Sequence, residues 1–95
     1  MAHATLVLPM NLTIYEVEQQ AALWLALVQA QPDEVAFDVQ TLEELDGAGF
    51  QLLISLCKAM AHSKLRLASP VTSLQQEWLC AQLQQHGFLT REDIC

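Results

Sequence analysis

The residues able to carry chemistry gather in one stretch. Between Asp38 and Asp46 the chain places Asp38, Gln40, Glu43, Glu44 and Asp46, followed at once by the small run Gly47-Ala48-Gly49. Several carboxylates at fixed distances are what a hard divalent cation needs, but this spacing matches no calcium loop and reads as a solvated acidic rim. Asp38 at a strand end invites comparison with phosphorylated aspartates. A receiver domain also needs an acidic pair near its first strand and a lysine after a late strand, and neither is present. His3, His62 and His86 lie outside helical ligand spacing of one another and of any cysteine, and Cys57, Cys80 and Cys95 form no C-x-x-C pair. Ser55, Ser63, Ser69 and Ser73 lack a nucleophile-elbow context, and Gly47-Ala48-Gly49 lacks the lysine of a phosphate loop. The chain therefore reads as non-enzymatic, with no cofactor and no metal. What remains is a helix start bare of side chains beside an aspartate. Such a start lets another protein's backbone come close, and a charge placed there interacts with the helix dipole.

The elements that position this stretch follow from hydrophobic period. Ala4 to Leu8 is a short run of strand formers closed by Pro9, which cannot donate to a ladder. From Thr13 the period becomes helical, with Ile14, Val17, Ala21, Trp24, Leu25 and Val28 on one stripe, Leu23 and Leu27 beside it, and Pro32 as the stop. Thr13 and Glu16 have the spacing of a capping box. Glu34 to Val39 reads as a central strand, Gln40 to Asp46 as a loop, and Gly47 as the start of a second helix. That helix puts Leu52, Leu53, Leu56, Cys57 and Met60 on one face and Gln51, Ser55, Lys58 and His62 on the other. Lys64 to Ala68 alternates as a third strand, broken by Ser69-Pro70. Thr72 or Ser73 caps a third helix with Leu74, Trp78 and Ala81 as its buried face, and Gly87 stops it with Phe88 folding back as a lid. Strand and helix alternate three times, which demands a largely parallel sheet in one α/β domain over residues 1–95.

Composition narrows the partners. The 95 residues are 53% hydrophobic and 16% charged, with mean hydropathy +0.25, so the chain must bury a core. Eleven acidic residues against 4 basic ones give a net charge of −7, which repels nucleic acid and anionic lipid. No apolar run approaches the roughly 20 residues that cross a bilayer. Met1 to Thr5 carries no basic region, so the sequence reads as cytoplasmic.

With these elements in order, the chain resembles a STAS domain, the fold of bacterial anti-sigma-factor antagonists. The resemblance rests on Leu12-Thr13-Ile14, on Val35-Ala36-Phe37-Asp38-Val39, and on Leu45-Asp46-Gly47-Ala48-Gly49-Phe50-Gln51-Leu52-Leu53. Leu65-Arg66-Leu67-Ala68-Ser69-Pro70, Trp78 and Gly87-Phe88 extend it. The wording from Asp46 to Leu53 is similar to small single-domain bacterial members of signalling systems. The resemblance implies a STAS-like fold, a small mostly parallel sheet with three to four helices. It also implies a regulatory function, docking on a kinase-like anti-sigma factor or other ATPase. The docking residues it implies are Asp38, Gln40, Asp46, Gly47, Ala48, Gly49, Phe50 and Gln51. In the family the residue after the turn aspartate is usually a Ser or Thr phosphorylated by that partner. Here the phosphoacceptor position is Gly47, which has no hydroxyl, and Gln40 replaces a frequent serine. The family's extra N-terminal strand is not supplied in full. A binding module without a phosphate switch is the reading that follows. A constitutive structural subunit of an ABC-type phospholipid-transport complex is the alternative that the family also offers.

Overall fold

Residues 3–68 and 70–89 are described by the computed structural model. Cys95 and Ser69 lie outside them. The chain runs β1 (His3–Val7), β2 (Asn11–Leu12), α1 (Val17–Ala30), β3 (Glu34–Asp38), β4 (Glu44–Leu45), α2 (Gly47–Ala59), β5 (Lys64–Leu67) and α3 (Leu74–Gln85). β1, β3 and β5 form a parallel sheet in that order, with His3 level with Glu34 and Glu34 level with Lys64. β2 and β4 pair separately, also in parallel. The protein is thus an α/β fold with a small parallel sheet and three helices among the described residues, as the alternation of periods demands.

Strand alternation decides which residues enter the core. Leu6, Val35, Phe37 and Leu65 project to one side and pack with Trp24, Leu53, Leu56 and Cys57. On the opposite side Thr5, Val7, Lys64 and Arg66 are exposed, and Glu34 pairs with Arg66 and with His3 across the strands. Two described cysteines, Cys57 and Cys80, are buried and free, as small apolar helix residues should be. Burial pushes the Cys57 thiol up to about 12 and raises Cys80 as well, so both stay protonated and inert.

The helices depart from their sequence patterns in instructive ways. The Thr13 capping box forms only by half: Glu16 Oε1 accepts from the Thr13 amide at 3.1 Å, but Thr13 Oγ1 accepts from the Tyr15 amide rather than from that of Glu16, and the N-cap of α1 is Glu16 itself, with no side-chain cap bond. Regular helix begins only at Val17, so Ile14 sits on a preceding turn, out of phase with the stripe, and is exposed. Of the expected stripe Trp24 alone is fully buried, Val17 and Val28 are half-buried, and Ala21 and Leu25 are exposed; of the two leucines beside it Leu27 packs partly against the core and Leu23 is exposed. Pro32 follows the helix end as expected.

In α3 the buried face is Gln76, Leu79, Cys80 and Leu83, not Leu74, Trp78 and Ala81. Leu74 is 84% and Trp78 47% exposed, because the stripe that meets the core lies one residue further on. A buried glutamine conceals this phase from any count of apolar residues. Gln76 is satisfied on all sides: its amide donates to the capping Ser73, its Oε1 accepts from Thr72, and its Nε2 donates to the Gln40 and Leu42 carbonyls. Gly87 adopts φ +83° and the Phe88 amide donates to Leu83 O at 2.9 Å, the bonding of a glycine helix stop. Phe88 packs at the edge of the core as a lid, and Leu89 behind it is buried deeper.

This phase sets an unequal pair of mutational costs. Leu79→Ala should destabilise the domain by about 2 to 5 kcal/mol, the usual range for emptying a buried leucine site. Trp78→Ala should cost only about 1 to 2 kcal/mol, because it loses a partial contact and one aromatic pairing. Urea unfolding of both variants measures the two. A larger loss for Trp78→Ala would restore the phase read from the sequence.

Candidate functional site

The small run after Asp46 becomes the first turn of α2, and its geometry rests on one carboxylate. Asp46 is the N-cap: its Oδ1 accepts from the Gly49 amide at 2.9 Å, while its Oδ2 accepts from the Ile14 amide at 2.9 Å. The first bond satisfies an amide that the helix cannot. The second ties α2 to the turn before α1, 32 residues back in the chain. Bonding from the Gly49 amide, then from Ile14, holds the Asp46 carboxyl below its ordinary value.

Leu12 completes the anchor. Its carbonyl accepts from the Asp46 amide at 3.4 Å, and the Met10 carbonyl accepts from the Glu43 and Glu44 amides at 2.8 and 3.0 Å. The stretch read as a loop from Gln40 to Asp46 is thus stitched to residues 10–12, which is why it contains β4. Gly49 lies against this seam. A Cβ there would stand 2.7 Å from the Leu12 carbonyl carbon and closer still to its oxygen, so only glycine fits. The close backbone approach expected of the small run is therefore real, but the backbone that approaches Gly49 is the chain's own.

Gly47 is different. It is exposed, and a Cβ built on it meets nothing within 4 Å. Ala48 is half-buried, and Gln51 is exposed on the next turn. Phe50 is half-buried, with its ring centroid 5.2 Å from that of Trp78 and 5.9 Å from that of His86. Gly47, Phe50 and Gln51 border one surface cleft. Asp38 and Gln40 sit apart from this turn at the end of β3, where Asp38 Oδ1 accepts from the Gln40 amide at 3.0 Å. Gln40 alone is linked to α3, where Gln76 holds its carbonyl, while Gln75 Nε2 donates to Leu45 O at 3.1 Å.

The pattern in the sequence did not reveal the exposed apolar residues around this edge. Tyr15 is 89% exposed next to Ile14, Met10 is half-exposed just before β2, and Leu74 and Trp78 stand in the first turns of α3. A helical stripe assigned to Ile14, Leu74 and Trp78 hides them in the core. Among the described residues no cluster of three or more His, Cys, Asp or Glu could hold a metal ion. No described helix is long and apolar enough to cross a membrane. Comparison of the chain with protein-family models, with curated proteins and with solved structures finds no match to any of them.

The two glycines should respond oppositely to one methyl group. Gly49→Ala should destabilise by about 3 kcal/mol, the upper part of the overpacking range, because the obstacle is backbone. Gly47→Ala should stabilise by roughly 0.4 to 1 kcal/mol through the unfolded chain. Thermal unfolding of both variants provides the comparison.

Asp46 also sets an acid limb. Because its folded pKa is depressed, its contribution is fully present above the unfolded value near 3.8 and is lost as pH falls through the lower folded value. Asp46→Asn should lower stability at neutral pH and show a shallower loss than wild type as pH falls below about 3.8, as read by circular dichroism. Parallel acid curves would remove Asp46 from that role.

Proposed function

We propose that the chain is a non-catalytic, STAS-like regulatory module that docks on a kinase-like ATPase through the first turn of α2. The observation that carries this reading is an exposed Gly47 with open space around it, on a turn fixed at both ends by Asp46 and by the Leu12 seam. The turn the resemblance marks for phosphorylation is the turn that stands bare. A partner meeting it buries little side-chain entropy, and Ile14, Tyr15, Phe50 and Trp78 supply apolar area nearby. With no hydroxyl at Gly47, the module stays in its binding form. Its acidic rim of Glu43, Glu44 and Asp46 favours a partner surface with basic character.

One observation favours the second reading, a constitutive structural subunit of an ABC-type transport complex. From Gln19 to Ala30 helix α1 carries no charge, and Leu23 and Leu25 are more than half exposed beside Ala22 and Ala26. A permanent subunit interface would cover such a face.

The two readings separate by experiment. The partner is recovered by pull-down and titrated calorimetrically against wild type, Gly47→Ser and Gly47→Asp, with circular dichroism confirming each fold. The folded state should accept Gly47→Asp, since a negative charge near a helix N-terminus is typically worth about 0.3 to 1 kcal/mol in its favour. On the docking reading, Gly47→Asp weakens binding at least tenfold and Gly47→Ser retains it. Unchanged affinity in a folded Gly47→Asp variant, with loss in Leu23→Glu, transfers the interface to α1.

A further inference from the structure

The cleft that begins at Gly47 does not end at the first turn. It encloses about 420 Å³ along α2, lined by Gly47, Phe50, Gln51, Ile54, Ser55 and Lys58, with His86, the residue that ends α3, as its far wall. These positions recur at three- to four-residue intervals, so they form one stripe on the helix, about 16 Å long at 1.5 Å per residue. Phe50 and Ile54 are half-buried, packed against the core on one side and open to the cleft on the other. The His86 ring is held by an Nδ1 contact to Gln82 O at 2.9 Å and stacks on Phe88, so the wall is fixed.

The charges along the stripe are sorted. Glu43, Glu44 and Asp46 immediately precede its Gly47 end, and Lys58 stands at the other end, exposed and without an ion pair among the described residues. A lysine in the last turn complements the α2 dipole, which accounts for its being there but leaves its ammonium open to a second charge.

Resting on the docking reading above, we propose that the occupant of this cleft is an amphipathic helix of the protein partner, lying antiparallel to α2. Its apolar stripe of about three turns covers Phe50 and Ile54, its acidic first turn meets Lys58, and its basic last turn meets the Glu43–Asp46 rim. Direction follows from charge. An antiparallel helix sets its positive N-terminus by the negative C-terminus of α2, and carboxylates in a first turn with cations in a last turn also suit its own dipole. A parallel helix would reverse every one of these pairings at once.

The probe is a pair of synthetic three-turn helical peptides of identical composition, cross-linked so that both are helical. One has glutamates in its first turn and lysines in its last, and the other has the two swapped. Titrated into the isotopically labelled full chain, the first should bind at least tenfold more tightly than the second. It should shift the amides of Gly47, Gln51, Ser55, Lys58 and His86. Lys58→Glu, an exposed substitution that leaves the core intact, should abolish the preference. Equal binding of the two peptides, no binding up to millimolar concentration, or shifts confined to α1 would overturn the proposal. Against the recovered partner the two ideas part: Gly47→Asp weakening with Lys58→Glu unchanged keeps the docking turn and discards the antiparallel helix.

Discussion

A single carboxylate ties the start of α2 to the turn before α1. Asp46 caps α2 through Gly49 and, with its other oxygen, reaches the Ile14 amide in the turn before α1. Its own amide leans on the Leu12 carbonyl, the same group that leaves no room for a side chain at Gly49. Sheet edge, first helix and second helix therefore meet at one point. The stretch leading to that point, Gln40 to Asp46, also supplies β4 and the carbonyls held by Gln75 and Gln76 of α3.

Under the proposed docking, rigidity there is what makes an undecorated turn useful. Gly47 and Gly49 are two residues apart yet serve opposite ends. Gly49 is spent on internal packing, and that close packing lets the helix begin directly at the surface, where Gly47 stands open. A loose turn would charge any partner the entropy of ordering it. This one is already ordered, with its capping amides satisfied and its neighbouring apolar rings held by mutual contact.

How much of this the sequence discloses depends on the range of the interaction. The three main strands and α2 are legible because each is patterned along its own length: alternating or continuous apolar runs for β1, β3 and β5, and a clean stripe ending at Met60 for α2. Phase fails in α3, where a glutamine is buried and Leu74 is not, so polarity no longer tracks direction. α1 fails for the opposite reason, since it is apolar nearly all round and several faces qualify. The two-residue strands β2 and β4 carry no pattern of their own and exist only through each other. The turn itself is legible as a small-residue helix start beside an aspartate, and that small run as a place where a backbone can come close. Which backbone approaches is not, because Leu12 lies 37 positions away and no local pattern links the two.

The claim that one carboxylate holds both elements can be read directly by following amide chemical shifts through an acid titration of the full chain. If Asp46 accepts from both, the Ile14 and Gly49 amides lose their hydrogen bonds in the same step, with a shared midpoint below the ordinary aspartate value of 3.8. Different midpoints for the two amides, or an Ile14 amide that does not respond while Gly49 does, would show that the start of α2 and the turn before α1 are held together some other way.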